Sequence, residues 1–130
     1  MVFLETFVNT FLVGIGSGIG GMARYSLGRI INTSTTGIFP WSTLAVNIIG
    51  CLIIGVIYGI VDRGINIDSG LKLFLTVGFC GGFTTFSTFA HENYLLFSGG
   101  NILNFLMYAF ATFIFGLLLV YLGYFCVRQF

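Results

Sequence analysis

Four apolar runs, each long enough to cross a bilayer, constrain this chain more than any motif within it. They cover residues 7–31, 41–61, 71–97 and 102–127. A helix needs about 20 residues to cross a hydrocarbon core of about 30 Å. Only helices and closed barrels satisfy every backbone polar group in lipid. Barrels need alternating segments of roughly ten residues, and nothing here alternates. Charged residues make up 7% of the 130 positions and hydrophobic ones 57%, against about 25% charged in soluble domains. The sequence therefore predicts an all-α membrane protein, a single domain over residues 1–130 with four transmembrane helices. Residues 1–5 place no basic run ahead of the first apolar stretch, so a cleavable signal peptide is not expected.

The few charges set the remaining limits. A net charge of +1 offers nucleic acid no electrostatic footprint. Four crossings put both termini and the 62–69 connection on one side, with Arg63, Lys72 and Arg128. They put the 32–40 connection and the 98–101 turn on the other, with Arg29 and, just inside, Arg24. Three against two is scarcely a bias under the positive-inside rule, and a chain so balanced can insert both ways up. That permits an antiparallel homodimer. The single histidine, His91, stands beside Glu92 without the partners that a zinc site or a Ser-His-Asp arrangement needs, so no enzyme is expected. Cys51, Cys80 and Cys126 are scattered through the spans without metal or disulfide spacing.

Glycines punctuate the runs. Gly14/Gly18, Gly16/Gly20 and Gly55/Gly59 have the four-residue spacing that lets helices approach closely in lipid. The short Ser98–Asn101 turn should make spans three and four antiparallel neighbours. The third run is unusual: it is long, and Gly81-Gly82 followed by Phe83 and Thr84-Thr85 are poor helix formers side by side. A helix broken at mid-membrane is expected there, because backbone opens in lipid only where protein or a wet cavity covers it. Its freed carbonyls around Gly81–Thr84 could bind a cation.

Neutral polar residues are the remaining chemistry inside the spans. Asn47 lies in the second, Ser87 and Thr88 follow the break in the third, and Tyr108 and Thr112 lie four residues apart on one face of the fourth. All can donate a hydrogen bond. As a group they form a path that could solvate an anion without trapping it, whereas each alone fits an ordinary helix–helix hydrogen bond. Phe86 and Phe89 share a face, three residues apart, and flank Ser87-Thr88. An aromatic ring is positive at its edge, so an anion meets that edge favourably. With 16 phenylalanines in the chain, spacing alone does not choose between that role and packing.

The string Gly81–Phe89, GGFTTFSTF, resembles the CrcB/Fluc family of fluoride channels, together with Gly20-Gly21-Met22-Ala23-Arg24-Tyr25 and Thr43-Leu44-Ala45-Val46-Asn47-Ile48-Ile49-Gly50. The likeness covers the whole chain, with motifs in spans one, two and three. Ser42 stands where the family often has glycine, and Leu52 where phenylalanine is common. The resemblance implies a fluoride-selective channel exporting fluoride passively across the cell membrane of a bacterium or archaeon. It implies an antiparallel, dual-topology homodimer with two pores and a central structural sodium ion. Carried over, Phe86 and Phe89 are the pore phenylalanines and Asn47 the pore asparagine. Ser87, Thr88, Tyr108 and Thr112 line a polar track, and the sodium sits on backbone carbonyls of Gly81 and Thr84 from both subunits. Arg24 matches a vestibule arginine that draws anions in, a role that competes with snorkelling to the interface. Glu92 also matches a family position, with its role left open. The rival readings are a small dual-topology proton-coupled exporter, which needs a buried ionisable residue at mid-membrane, and a non-transporting packing subunit.

Overall fold

The computed structural model describes residues 1–130, and its only regular elements are helices. Helix α1 (Val2–Ser34), α2 (Trp41–Asp62) and α6 (Ile102–Gln129) are continuous. The third span, Ser69–Ser98, is assembled from pieces. A short α3 (Ser69–Leu73) runs into a seven-residue π-helical stretch (Phe74–Cys80), then a single turn, α4 (Gly81–Phe83), and finally α5 (Phe86–Ser98). All four spans have the length and apolar composition to cross a membrane. Asp68 starts the third, its carboxylate accepting from the Gly70 and Leu71 N–H groups at 2.9 and 3.2 Å, as an N-cap residue does.

The chain does not pair its spans in sequence order. Helix α6 packs chiefly on α2, and α1 packs chiefly on the π-helical stretch and α4, whereas α5 and α6 meet only lightly across their turn. Glycine placement explains the pairing. A Cβ on Gly55 would strike the Val120 carbonyl of α6, and one on Gly123 would stand 2.5 Å from the Leu52 carbonyl of α2. On the other seam, a Cβ on Gly16 would lie 2.5 Å from the Phe74 carbonyl, and one on Gly20 would strike that of Phe79. Backbone therefore rides on backbone at both seams. Gly14 and Gly18, which carry the same spacing, have nothing within 4 Å; their face is exposed, and the contact expected from their spacing is absent within this chain.

The third span breaks a little later than its glycines suggest. Gly81 is helical, with φ −62° and ψ −40°. Gly82 lies inside α4, where α1 passes so close that a Cβ would strike the Ser17 carbonyl. The extended residues are Thr84 (φ −89°, ψ 162°) and Thr85 (φ −151°, ψ 117°). Their hydroxyls bond to the two helix ends they create. Thr84 Oγ1 donates to the Cys80 carbonyl at 2.8 Å, and Thr85 Oγ1 accepts the Thr88 N–H at 3.3 Å as the N-cap of α5.

Candidate functional site

Asn47 holds the break from the side. Its Oδ1 accepts the Thr85 N–H at 2.7 Å, and its Nδ2 donates to the Thr85 carbonyl at 3.1 Å. One side-chain amide thus replaces both helical partners of one residue, which an exposed peptide group in lipid would otherwise lack. The break leaves carbonyls without their helical donors, those of Gly81 and Thr84 among them. In an unbroken helix the Thr85 N–H would serve the Gly81 carbonyl and the Thr88 N–H would serve that of Thr84. Those donors are taken by Asn47 and by the Thr85 hydroxyl. Gly81 and Thr84 are the residues expected to hold a cation, and the donor set suits a hard, singly charged ion: neutral carbonyl oxygens without a carboxylate.

Both carbonyl-bearing residues line a cleft of about 660 Å³ between α2, the third span and α6. Asn47, Phe86, Phe89 and Thr112 line the same cleft. The Phe86 and Phe89 rings lie 5.7 Å apart, tilted by 47°. Phe86 is 79% exposed in the single chain, so its ring is held out into the cleft rather than packed away. The Thr112 hydroxyl is buried in the wall with no hydrogen-bond partner, a donor not used within the chain. Cys51 and Cys80 line it as free thiols, the packing role that their scattered positions imply.

A second cavity of about 320 Å³ differs in character. Its lining includes Arg24, Arg29, Asn32, Thr43, Thr88 and Glu92. Thr85 is the one residue common to both linings. Glu92 stays within the third span because neutral donors hold each oxygen: Thr43 Oγ1 donates to Oε1 at 2.8 Å, and Tyr108 Oη donates to Oε2 at 2.7 Å. Two guanidinium groups therefore share this cavity with one carboxylate, a balance that favours anions.

The structure thus gathers Asn47, Phe86, Phe89 and Thr112 at the first cavity, with Arg24 and Thr88 at the second. Tyr108 and Ser87 line neither. Tyr108 is fully buried, turned to Glu92 although it lies one helical turn from Thr112. Ser87 is exposed. Thr43 and Glu92 are site residues that the sequence reading left without a role. An acid inside an apolar run was the available signal for Glu92, since such a residue must find donors. Thr43 sits at the start of the asparagine motif, and its partner is 49 positions away.

A family model described as CrcB-like protein, Camphor Resistance (CrcB), matches residues 11–124. The chain is 45% identical over 112 residues to a fluoride-specific ion channel FluC of Phocaeicola vulgatus, covering 86% of this chain and 92% of that protein. It is 45% identical over 119 residues to a protein of the same name from Bacteroides fragilis, covering 89% and 93%. A third of that name, from Azobacteroides pseudotrichonymphae, is 41% identical over 114 residues, covering 88% and 91%.

Proposed function

The chain belongs to the CrcB-like family, and we propose that it is one subunit of a fluoride-selective channel that lets fluoride leave the cell passively through the cell membrane. One observation carries this reading. The Asn47 amide closes the helix break at Thr85, the residue that lines both an arginine-bearing polar cavity and a phenylalanine-lined cleft. Fluoride is small and tightly hydrated, so it must exchange water for donors along its whole way. Arg24 and Arg29 raise its concentration at the mouth. Thr88 and the Asn47 amide then offer donors near the break, where α5 also begins, and the first amides of a helix favour an anion. Beyond, the ring edges of Phe86 and Phe89 and the Thr112 hydroxyl continue the series. None of these groups along the cleft is a fixed cation that would hold the ion too tightly to release it.

The subunit functions as an antiparallel homodimer with two pores. The exposure of Phe86 in the single chain, the open cleft beside it and the even charge balance of the two membrane sides support a second copy here. A sodium ion on the two-fold axis fits the Gly81 and Thr84 carbonyls, both stripped of their helical donors; it would fix the break and carry no fluoride itself. The test is efflux of fluoride from liposomes containing the purified protein, with chloride as control and no pH gradient imposed. Fast fluoride release with negligible chloride release is expected. Silence from folded dimer would defeat the channel, and flux that requires a pH gradient would mark a proton-coupled exporter instead.

A further inference from the structure

Five aromatic rings form an unbroken series from the α1–α2 connection to the break in the third span. Trp41 and Phe39 lie 4.4 Å apart, and Phe39 meets the Tyr108 ring at 5.7 Å and 76°. Tyr108 meets Phe89 at 5.0 Å and 60°, and Phe89 meets Phe86 at 5.7 Å. Tyr108 is the pivot of the series. It has no exposed surface, and its hydroxyl is fixed on Glu92 at 2.7 Å. Phe39 and Phe89 both pack against the core formed by Leu44, Leu96 and Tyr108. With its hydroxyl tethered, the Tyr108 ring can still turn about its own long axis, and the two flanking rings are what restrict that turn. Phe39 approaches edge-to-face, the favoured arrangement for an aromatic pair.

We infer that Phe39, outside the membrane-spanning helices, is a positioning residue for Phe89, acting through the Tyr108 ring. Its contribution is to keep Phe89 in the orientation that presents its edge to the cleft. Pro40, which follows it, sets the start of α2 and so fixes Phe39 relative to the Asn47-bearing helix. A ring edge is effective only at a defined angle, and small misplacements at a reacting or conducting centre have large effects. This inference rests on the channel reading above.

The experiment compares Phe39→Leu, Phe39→Tyr and Phe105→Leu in liposomes, across a range of fluoride concentrations. Phe105 packs on the same core but its ring pairs with Phe97, so its loss matches the packing defect without removing a ring pair of the series. Phe39→Leu is expected to lower fluoride flux about ten-fold, the effect of one aromatic pair at the upper end of its range. Phe39→Tyr should restore most of it, and Phe105→Leu should stay within about two-fold of the parent protein. Trp41 is the only tryptophan, and its emission reads the series without any flux. Phe89→Leu should shift it, while Phe97→Leu, outside the series, should not. Equal flux losses for Phe39→Leu and Phe105→Leu, or Trp41 emission indifferent to Phe89→Leu, would overturn the positioning role. A parent protein that passes no fluoride defeats the channel reading, whereas a conducting parent with an equally conducting Phe39→Leu defeats this inference alone.

Discussion

The α2–α6 seam and the third span solve opposite problems with the same small residues. At the seam, Gly55, Gly59 and Gly123 let two helices ride backbone on backbone, and both helices run unbroken. The third span also presses glycines, Gly78 and Gly82, against α1, yet its helix is first widened into a π turn and then opened at Thr84-Thr85. The difference is the polar side chain on the facing helix. Asn47 reaches Thr85 and supplies both a donor and an acceptor, so opening the backbone there costs little. Close approach alone gives a rigid packing surface; close approach beside an amide gives an interior surface of hydrogen-bonding groups. The first holds the bundle together, and the second gives the cleft its chemistry.

The most severe way to break this comparison is to remove the amide. Asn47→Leu leaves the Thr85 N–H and carbonyl without their side-chain partners inside the bundle, at about 1–3 kcal/mol for each. Fluoride flux in liposomes is expected to fall by at least about thirty-fold, the kinetic equivalent of the lower end of the two penalties combined. A lowered melting temperature of the purified protein should accompany the loss. Asn47→Asp retains the acceptor for the Thr85 N–H and should be intermediate in stability. If Asn47→Leu conducted normally, the break would be held by something other than this bridge.

Next in size is the loss of a ring edge. Phe86→Ile and Phe89→Ile keep an apolar side chain of adequate bulk but abolish the positive edge, and each should reduce fluoride flux by about ten-fold or more. The melting temperature should change little for Phe86→Ile, because that ring is 79% exposed in the single chain. Dimer should persist on size-exclusion chromatography in both. Unchanged flux in both variants would remove the ring-edge mechanism. At the other seam the signature should reverse. Gly123→Ala pushes a methyl group against the Leu52 carbonyl and should cost about 1–3 kcal/mol of stability through overpacking. Flux per folded molecule should remain near that of the parent, since Gly123 lines neither cavity.

How much of this was legible in the sequence follows from the range of the interactions involved. The four spans were readable because length and apolarity are local properties. The break was readable within a few residues because a pair of glycines before a pair of threonines is locally weak as a helix. Its placement on the threonines was not, since the glycine at 82 serves the close passage of the Ser17 carbonyl of α1 rather than the break, a contact between distant residues. The same holds for the π-helical stretch, which has no local signature and lies along the small-residue face of α1. Asn47 was identified as polar and intramembrane, but its partner is 38 positions away and nothing in the asparagine motif points to Thr85. Tyr108 and Thr112 share a helical face by spacing, yet the unsatisfied carboxylate of Glu92 claims the tyrosine hydroxyl. Periodicity gives the direction of a side chain; which neighbour captures it is decided by donors and acceptors elsewhere in the fold.

The smallest expected effect tests the boundary of the comparison. Gly14 and Gly18 have the same spacing as Gly16 and Gly20, but no atom of this chain lies within 4 Å of the Cβ that either would carry. A helix turns 100° per residue, so the two pairs face apart: Gly16 and Gly20 toward the third span, Gly14 and Gly18 outward. If the outward pair meets only lipid, Gly14→Ala and Gly18→Ala add a methyl group to a lipid-facing helix and should change stability by no more than about 0.5 kcal/mol, with unchanged flux. Gly16→Ala, by contrast, must push α1 away from the Phe74 carbonyl. Melting temperatures of the three variants measured side by side check the point, with chromatography reading the dimer. A dimer weakened by Gly14→Ala or Gly18→Ala would show that the second copy rests on this face of α1, and the small-residue stripe would then be a seam between subunits rather than an idle repeat of the one inside.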